Sequence, residues 1–218
     1  MSRQYSFFDK LIGELDHAVR TVVLASDKSA RSTPAGNIES GEMSSKEKEH
    51  AARLMRVNLT GEVCAQALYR GQASVAKSEE TRAHLLEAAD EEQDHLAWCS
   101  QRIKELDNRR SYLDIIWYAN SFLIGQVAAR VSDELSLGFV METENQVMQH
   151  LESHLDGAGS KGLPKQDLRS RKIIEVMKEE EMRHADDAKE KGGKELSKVM
   201  KAIMKLQSKV MTGVVYYI

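Results

Sequence analysis

The chain has 218 residues, 41% of them hydrophobic and 30% charged, with a formal net charge of -3. That is enough for one compact domain with a sizeable core. The charged fraction excludes a polytopic membrane protein, and so small a net charge gives no reason to expect nucleic acid as a partner. Only two prolines occur among abundant Ala, Leu, Met, Glu, Lys and Arg, so the class is all-α. Residues 6–25 read as a first helix, with Phe8, Leu11, Ile12, Leu15 and Val19 at helical spacing. Ser26–Gly41 gathers Ser, Thr, Pro, Gly and Asn and marks a linker. Ser44 or Ser45 then caps a helix reaching about Ala76, and another runs from about Glu79 to Asp107. Residues 112–131, YLDIIWYANSFLIGQVAARV, are apolar on nearly all sides yet carry Asp114, Asn120 and Gln126. A spanning helix wants roughly 20 mostly apolar residues, so a buried crossover or an interfacial helix fits better. Helices at 132–155 and 166–191 follow, divided by DGAGSKGLP, and a last helix at 194–212 precedes the tail GVVYYI. Four long helices with a long central connection predict a ferritin-like four-helix bundle with additional apolar or interfacial helices. On this reading 1–45 is an N-terminal helix and linker and 46–218 the bundle, a single domain overall.

Cys64 and Cys99 form no CxxC spacing and read as reduced packing residues. The segment MSRQYSFFDKLIGEL lacks a long apolar stretch and a cleavage site, so it does not read as a secretory signal, and a cytoplasmic protein is expected.

Four Glu-x-x-His pairs occur: Glu14–His17, Glu47–His50, Glu92–His95 and Glu181–His184. Chance placement of seven His among 22 Glu would give fewer than one. Spacing of three puts a carboxylate and an imidazole on one helix face, within reach of one metal ion. Four-helix di-metal sites take a Glu from each of two helices and Glu-x-x-His from each of the other two. Glu62 and Glu144 lie mid-helix among apolar neighbours, where an unpaired carboxylate is costly. The order Glu62, Glu92–His95, Glu144, Glu181–His184 is therefore a repeat in chemistry. Glu14–His17 precedes the linker and Glu47–His50 occupies a first helical turn, where acids favour the dipole, so both are set aside. Glu142 is two positions from Glu144 and cannot share its face; Glu144 is preferred. Four carboxylates balance two divalent cations, whereas without metal they could not all stay ionised together. Oxygen and nitrogen donors without thiolate suit iron or manganese better than structural zinc.

MRVNLTGEVCAQALYRGQ (55–72), EEQDHLAWCSQRIKEL (91–106), SLGFVMETENQVMQHLESHL (136–155) and EEEMRHADDA (179–188) resemble the bacterial demethoxyubiquinone hydroxylases. The resemblance covers about 47–218, including SYLDIIWYANSF and SKVMTGVVYYI, and is less clear over the first 45 residues. It implies a monooxygenase that hydroxylates the ring of a 2-polyprenyl-3-methyl-6-methoxy-1,4-benzoquinol with O2, in ubiquinone biosynthesis. It further implies two iron ions held by Glu62, Glu92, His95, Glu144, Glu181 and His184, with Glu92 and Glu181 bridging. It implies electrons from a reduced nicotinamide such as NADH or from the quinol itself; with no GxGxxG after a strand the chain carries no nucleotide-binding domain, so an external reductant is expected.

A polyprenyl substrate lives in a bilayer, so peripheral attachment to the cytoplasmic face of the cell membrane is expected. Trp117, Tyr118, Phe122, Leu123 and Ile124, with Trp98 and the Val214–Ile218 tail, are the candidates for that face. Tyr69 and His150 are candidates for partners that orient the metal ligands. Other ubiquinone-biosynthesis proteins are possible partners. The alternatives are a ferritin-like ferroxidase or peroxide-detoxifying protein, and a metal-retaining scaffold of a quinone-biosynthesis complex.

Overall fold

A computed structural model describes residues 7–24, 30–157 and 162–218. The extreme ends of the expected first helix, residues 26–29 of the linker and 158–161 of the Gly-rich turn lie outside them. Helix α1 (Phe7–Val19) runs into a π-helical turn, Arg20–Leu24. It is followed by α2 (Ser45–Ala73), α3 (Glu79–Glu105), α4 (Asp114–Val131), α5 (Asp133–Asp156), α6 (Leu168–Glu190) and α7 (Lys198–Val215). The described residues contain no strand.

Side-chain caps set most of the helix starts. Ser44, Ser78, Ser132, Asp167 and Ser197 each accept the backbone N–H three residues on, filling a donor that the first turn leaves unpaired. Glu47 closes a capping box by accepting from the Ser44 N–H at 2.8 Å. His50 donates from Nε2 to the Gly162 carbonyl at 3.0 Å and accepts at Nδ1 from the Tyr216 hydroxyl at 2.6 Å. Glu14 accepts two bonds from the Arg70 guanidinium at 2.9 and 3.0 Å. The two Glu-x-x-His pairs set aside in the sequence are thus engaged in holding helix ends and α1.

The bundle proper is α2, α3, α5 and α6, with α2 packed on α3 and α5 on α6. Met55, Leu59, Leu96, Ile173, Ile174 and Met177 fill one part of its core, and Tyr69, Leu85 and Val140 another. The central crossover is α4, which lies along α2 with backbones touching. A Cβ at Gly71 would stand 2.1 Å from the Phe122 carbonyl oxygen, and one at Gly125 would stand 2.3 Å from that of Leu68. Only glycine permits this approach. Helix α7 crosses α2 and α5, with Met211 and Val215 packed on Val57.

The outer surface departs from expectation. Tyr118 is buried, with its ring stacked at 6.4 Å on that of the half-buried Phe122. Trp117 packs with Val57, Met211 and Val215, and Trp98 is buried on α3. Of the aromatic and aliphatic face anticipated on α4, Leu123 does point outward, beside Ile115, Ile116, Val127 and Val131. The inward face is the one carrying Tyr118, Ser121, Gly125 and Ala128 at helical spacing. With apolar residues on both sides, the sequence could not choose between them; glycine backbone approach does. Helix α1 also turns Phe8, Ile12, Leu15 and Val19 outward, at 51–71% exposure. No helix among the described residues is long and apolar enough to cross a membrane.

His150 and His154 meet edge to face on α5, ring centroids 4.2 Å apart. Burial pushes His150 down to about 4, and burial with the neighbouring imidazoles pushes His154 down to about 2. Below the ordinary histidine value of 6.5 the unfolded chain therefore binds protons that the folded chain refuses. Stability is lost as pH falls, over 6.5 to about 4 for His150 and down to about 2 for His154. Each imidazole contributes a slope of about 1.4 kcal/mol per pH unit. In denaturant titrations between about pH 6.5 and 4.5, His154→Leu is expected to flatten the fall in stability by about that slope. An unchanged slope would refute this linkage.

Candidate metal centre

Helix periodicity brings the six residues of the sequence repeat to one place. Glu62 comes from α2, Glu92 and His95 from α3, Glu144 from α5, and Glu181 and His184 from α6; all are buried. They form two overlapping groups: Glu62, Glu92, His95 and Glu181, and Glu92, Glu144, Glu181 and His184. Within each group the candidate ligand atoms lie within 4.8 Å of one another. Glu92 and Glu181, on facing helices, belong to both. His95 Nδ1 stands 2.9 Å from Glu92 and 3.1 Å from Glu181, with Glu62 at 3.7 Å. His184 Nδ1 stands 3.1 Å from Glu92 and 3.3 Å from Glu181.

So many buried carboxylates cannot all ionise without cations. Burial and the Glu181 charge push Glu62 and Glu144 well above the usual carboxylate range. Burial would raise Glu92 too, but the His95 and His184 imidazoles outweigh it and hold Glu92 well below that range. Burial likewise opposes the charge on the two imidazoles. The facing carboxylates win, raising His95 strongly and His184 to about 12. Protons on imidazoles thus do the work that metal charge would do. Neither oxygen of the wholly buried Glu144 has a hydrogen-bond partner among the described residues. Two four-residue sets sharing two carboxylates, with unfilled lone pairs and no thiolate, fit a pair of hard divalent ions.

Glu142 turns away from this cluster, accepting from Gln146 at 2.7 Å and pairing with Lys201 at 3.1 Å. The Tyr69 hydroxyl and His150 Nε2, anticipated as partners of the ligands, have no hydrogen-bond partner at all among the described residues. Two other residues take that place. His95 Nε2 is 2.8 Å from Glu180, and His184 Nε2 is 2.7 Å from Glu91. Each imidazole aims Nδ1 inward and Nε2 at a carboxylate on the opposite helix. Such an outer carboxylate fixes tautomer and ring orientation in metal sites. Burial opposes ionisation of Glu180, but His95 and Arg31 hold it at about 2. The available signal was the doubled acid, Glu91–Glu92 and Glu180–Glu181, before each histidine. The cysteines are packing residues: Cys99 Sγ lies 3.7 Å from Met177 Sδ, and burial pushes the Cys64 thiol up to about 12.

A cavity of about 140 Å³ opens between α2, α4, α5 and α7, and Glu62 forms part of its wall. Its lining is mostly apolar, with Val57, Leu68, Ile124, Phe139, Val147 and Met211. Three buried polar atoms of its lining residues have no hydrogen-bond partner among the described residues: Asn58 Oδ1, Trp117 Nε1 and His150 Nε2.

The chain is similar to known proteins over nearly its whole length. The family described as "Ubiquinone biosynthesis protein COQ7" matches residues 43–215. A protein of Francisella tularensis subsp. tularensis named "3-demethoxyubiquinol 3-hydroxylase" is 54% identical over 214 residues, 98% of this chain and 99% of its own length. Proteins of the same name from Francisella philomiragia subsp. philomiragia and Francisella tularensis subsp. novicida are 52% and 54% identical, each over 98% of this chain and 99% of their own length. These matches extend the resemblance over the N-terminal segment as well.

Because Glu92 belongs to both groups, Glu92→Ala is expected to abolish binding of both metal ions, whereas Glu144→Ala should spare the His95 side. Anaerobic Fe(II) titration with elemental analysis reads the stoichiometry. Full iron content in Glu92→Ala would sink the ligand set.

Proposed function

The chain belongs to the COQ7 family of ubiquinone biosynthesis proteins, and we propose that it hydroxylates the ring of a 2-polyprenyl-3-methyl-6-methoxy-1,4-benzoquinol with O2 at a pair of iron ions. Glu62, Glu92, His95, Glu144, Glu181 and His184 would hold the ions, with Glu92 and Glu181 shared between them. The names of its relatives support the reaction class and the quinol. The observation that carries the reading is the cavity wall containing Glu62, which gives an organic ring a seat against the metal ligands.

An apolar cavity of about 150 Å³ holds a benzene ring, so the space beside Glu62 is of the right order for a quinol head. Asn58 Oδ1 can accept from a ring hydroxyl, and Trp117 Nε1 can donate to a ring oxygen. His150 is neutral near pH 7, since burial holds it at about 4, and adds polarity without charge. A bound Fe(II) pair supplies O2 with the electrons for its reduction. In the net reaction a ring C–H, O2, two electrons and two protons give a ring C–OH and water, and the two electrons must be renewed by an external donor such as NADH. A ferroxidase has no use for a ring-sized cavity beside its ligands.

The seat also lies where a lipid-borne substrate can reach it. Two of its walls are α4 and α7, whose outer surfaces expose Ile116, Leu123 and Val127, and Ile203, Leu206 and Val210. These two stripes would serve as a face for peripheral attachment at the cytoplasmic side of a membrane, through which a prenyl tail would pass between bilayer and cavity.

In a single turnover of anaerobically Fe(II)-loaded protein with ¹⁸O₂ and a short-tailed demethoxyubiquinol, one labelled oxygen is expected in the ring. Iron oxidation without ring labelling would favour the ferroxidase or scaffold alternative. For the attachment face, the double variant Leu123→Glu with Val127→Glu is expected to lose co-sedimentation with anionic vesicles and to turn over long-tailed quinol poorly. Its rate on the short-tailed quinol should survive, since both side chains are exposed. Undiminished vesicle binding would move the face elsewhere.

A further inference from the structure

The two imidazoles are supported unequally. Glu91, the partner of His184, is 43% exposed; its other contact is Arg183 at 3.3 Å. It borders an open, polar cavity shared with His84, Glu87, Asp187 and Glu190. Glu180, the partner of His95, is 13% exposed and is gripped at both oxygens by Arg31, at 2.6 and 2.9 Å. Arg31 comes from the segment before α2, ahead of the residues that the family match covers. Its Nε donates to Asp94, the neighbour of His95, and the Ala30 N–H reaches the same carboxylate at 2.8 Å. Its guanidinium lies 4.8 Å over the Trp98 ring, which itself stands 5.4 Å from the His95 ring. A two-point guanidinium–carboxylate contact fixes direction as well as charge, which a single exposed ion pair does not.

We infer that Arg31 is a positioning residue that locks Glu180 onto His95 and so makes the two metal positions unequal, a slow-exchanging one at His95 and a fast-exchanging one at His184. Release of a metal from His95 requires the imidazole to turn, and Glu180 cannot follow it while Arg31, itself anchored on Asp94, holds the carboxylate in place. At His184 the outer carboxylate is exposed and can swing aside into the open cavity. The inference rests on the metal-centre reading above.

The test is a chelator chase of protein loaded anaerobically with two Co(II) ions, followed by their visible absorption. The unmodified protein is expected to release metal in two phases. Arg31→Gln should accelerate the slow phase, by no more than the roughly 10- to 100-fold expected for losing an outer partner such as Glu180 itself, and leave the fast phase unchanged. Arg31→Lys restores charge but not the two-point grip, so it should recover only part of the slow phase. Asp94→Asn, which keeps the Glu180–Arg31 contact but weakens the anchor on Arg31 Nε, should shift the slow phase in the same direction by less. Glu91→Gln should touch the fast phase alone. Equal acceleration of both phases, or none, in Arg31→Gln would overturn the inference and leave Arg31 a structural residue. Failure of the unmodified protein to bind two ions would instead overturn the metal-centre reading.

Discussion

The rest of this structure depends on four carboxylates and two imidazoles buried together in the core of the bundle. Such a cluster is tolerable only if positive charge accompanies it. The bundle sets imidazoles on α3 and α6 against the shared Glu92 and Glu181, and leaves both Glu144 oxygens without a hydrogen-bond partner among the described residues. Burial strengthens each attraction because the surroundings screen little. The same burial would penalise any loss of register, so one site fixes the relative positions of four helices.

The cluster is joined to two environments of opposite character. On one side a largely apolar cavity reaches Glu62, bounded by helices whose outer surfaces are also apolar. On the other, an open polar cavity reaches His184 through Glu91. An organic substrate and hydrated ions can therefore approach the same core from different directions without competing for one path.

How much of this could be read from the sequence depended on whether a signal was local. Glu-x-x-His spacing and mid-helix Glu62 and Glu144 picked out the residues that converge, because helical periodicity converts spacing directly into direction. A helix start at Ser44 or Ser45 and a helix over 112–131 were legible from local signals too, though not the Glu47 half of the cap or which side of that helix is buried. What escaped were relations between helices. Glu91 and Glu180 look like ordinary surface acids beside their neighbours, and only the α3–α6 interface aims them at the opposite imidazoles. Tyr118 and Leu123 belong to one run with apolar residues on both sides, yet Gly71 and Gly125 draw one inward and leave the other outside. Trp98, plausible as an interfacial aromatic, lies beneath Arg31 from a segment with no periodic pattern.

The backbone contact between α2 and α4 has a further consequence for how binding space can vary. Neither Gly71 nor Gly125 can accept a side chain without parting the helices, so that wall of the cavity has a fixed position. The opposite wall is α7, which offers Met204 and Met211, unbranched side chains with several rotatable bonds. Differences in ligand shape are thus not absorbed at the α2–α4 wall. Redesign of the chamber has its freedom on α7, against a glycine-set wall that holds the ring's place.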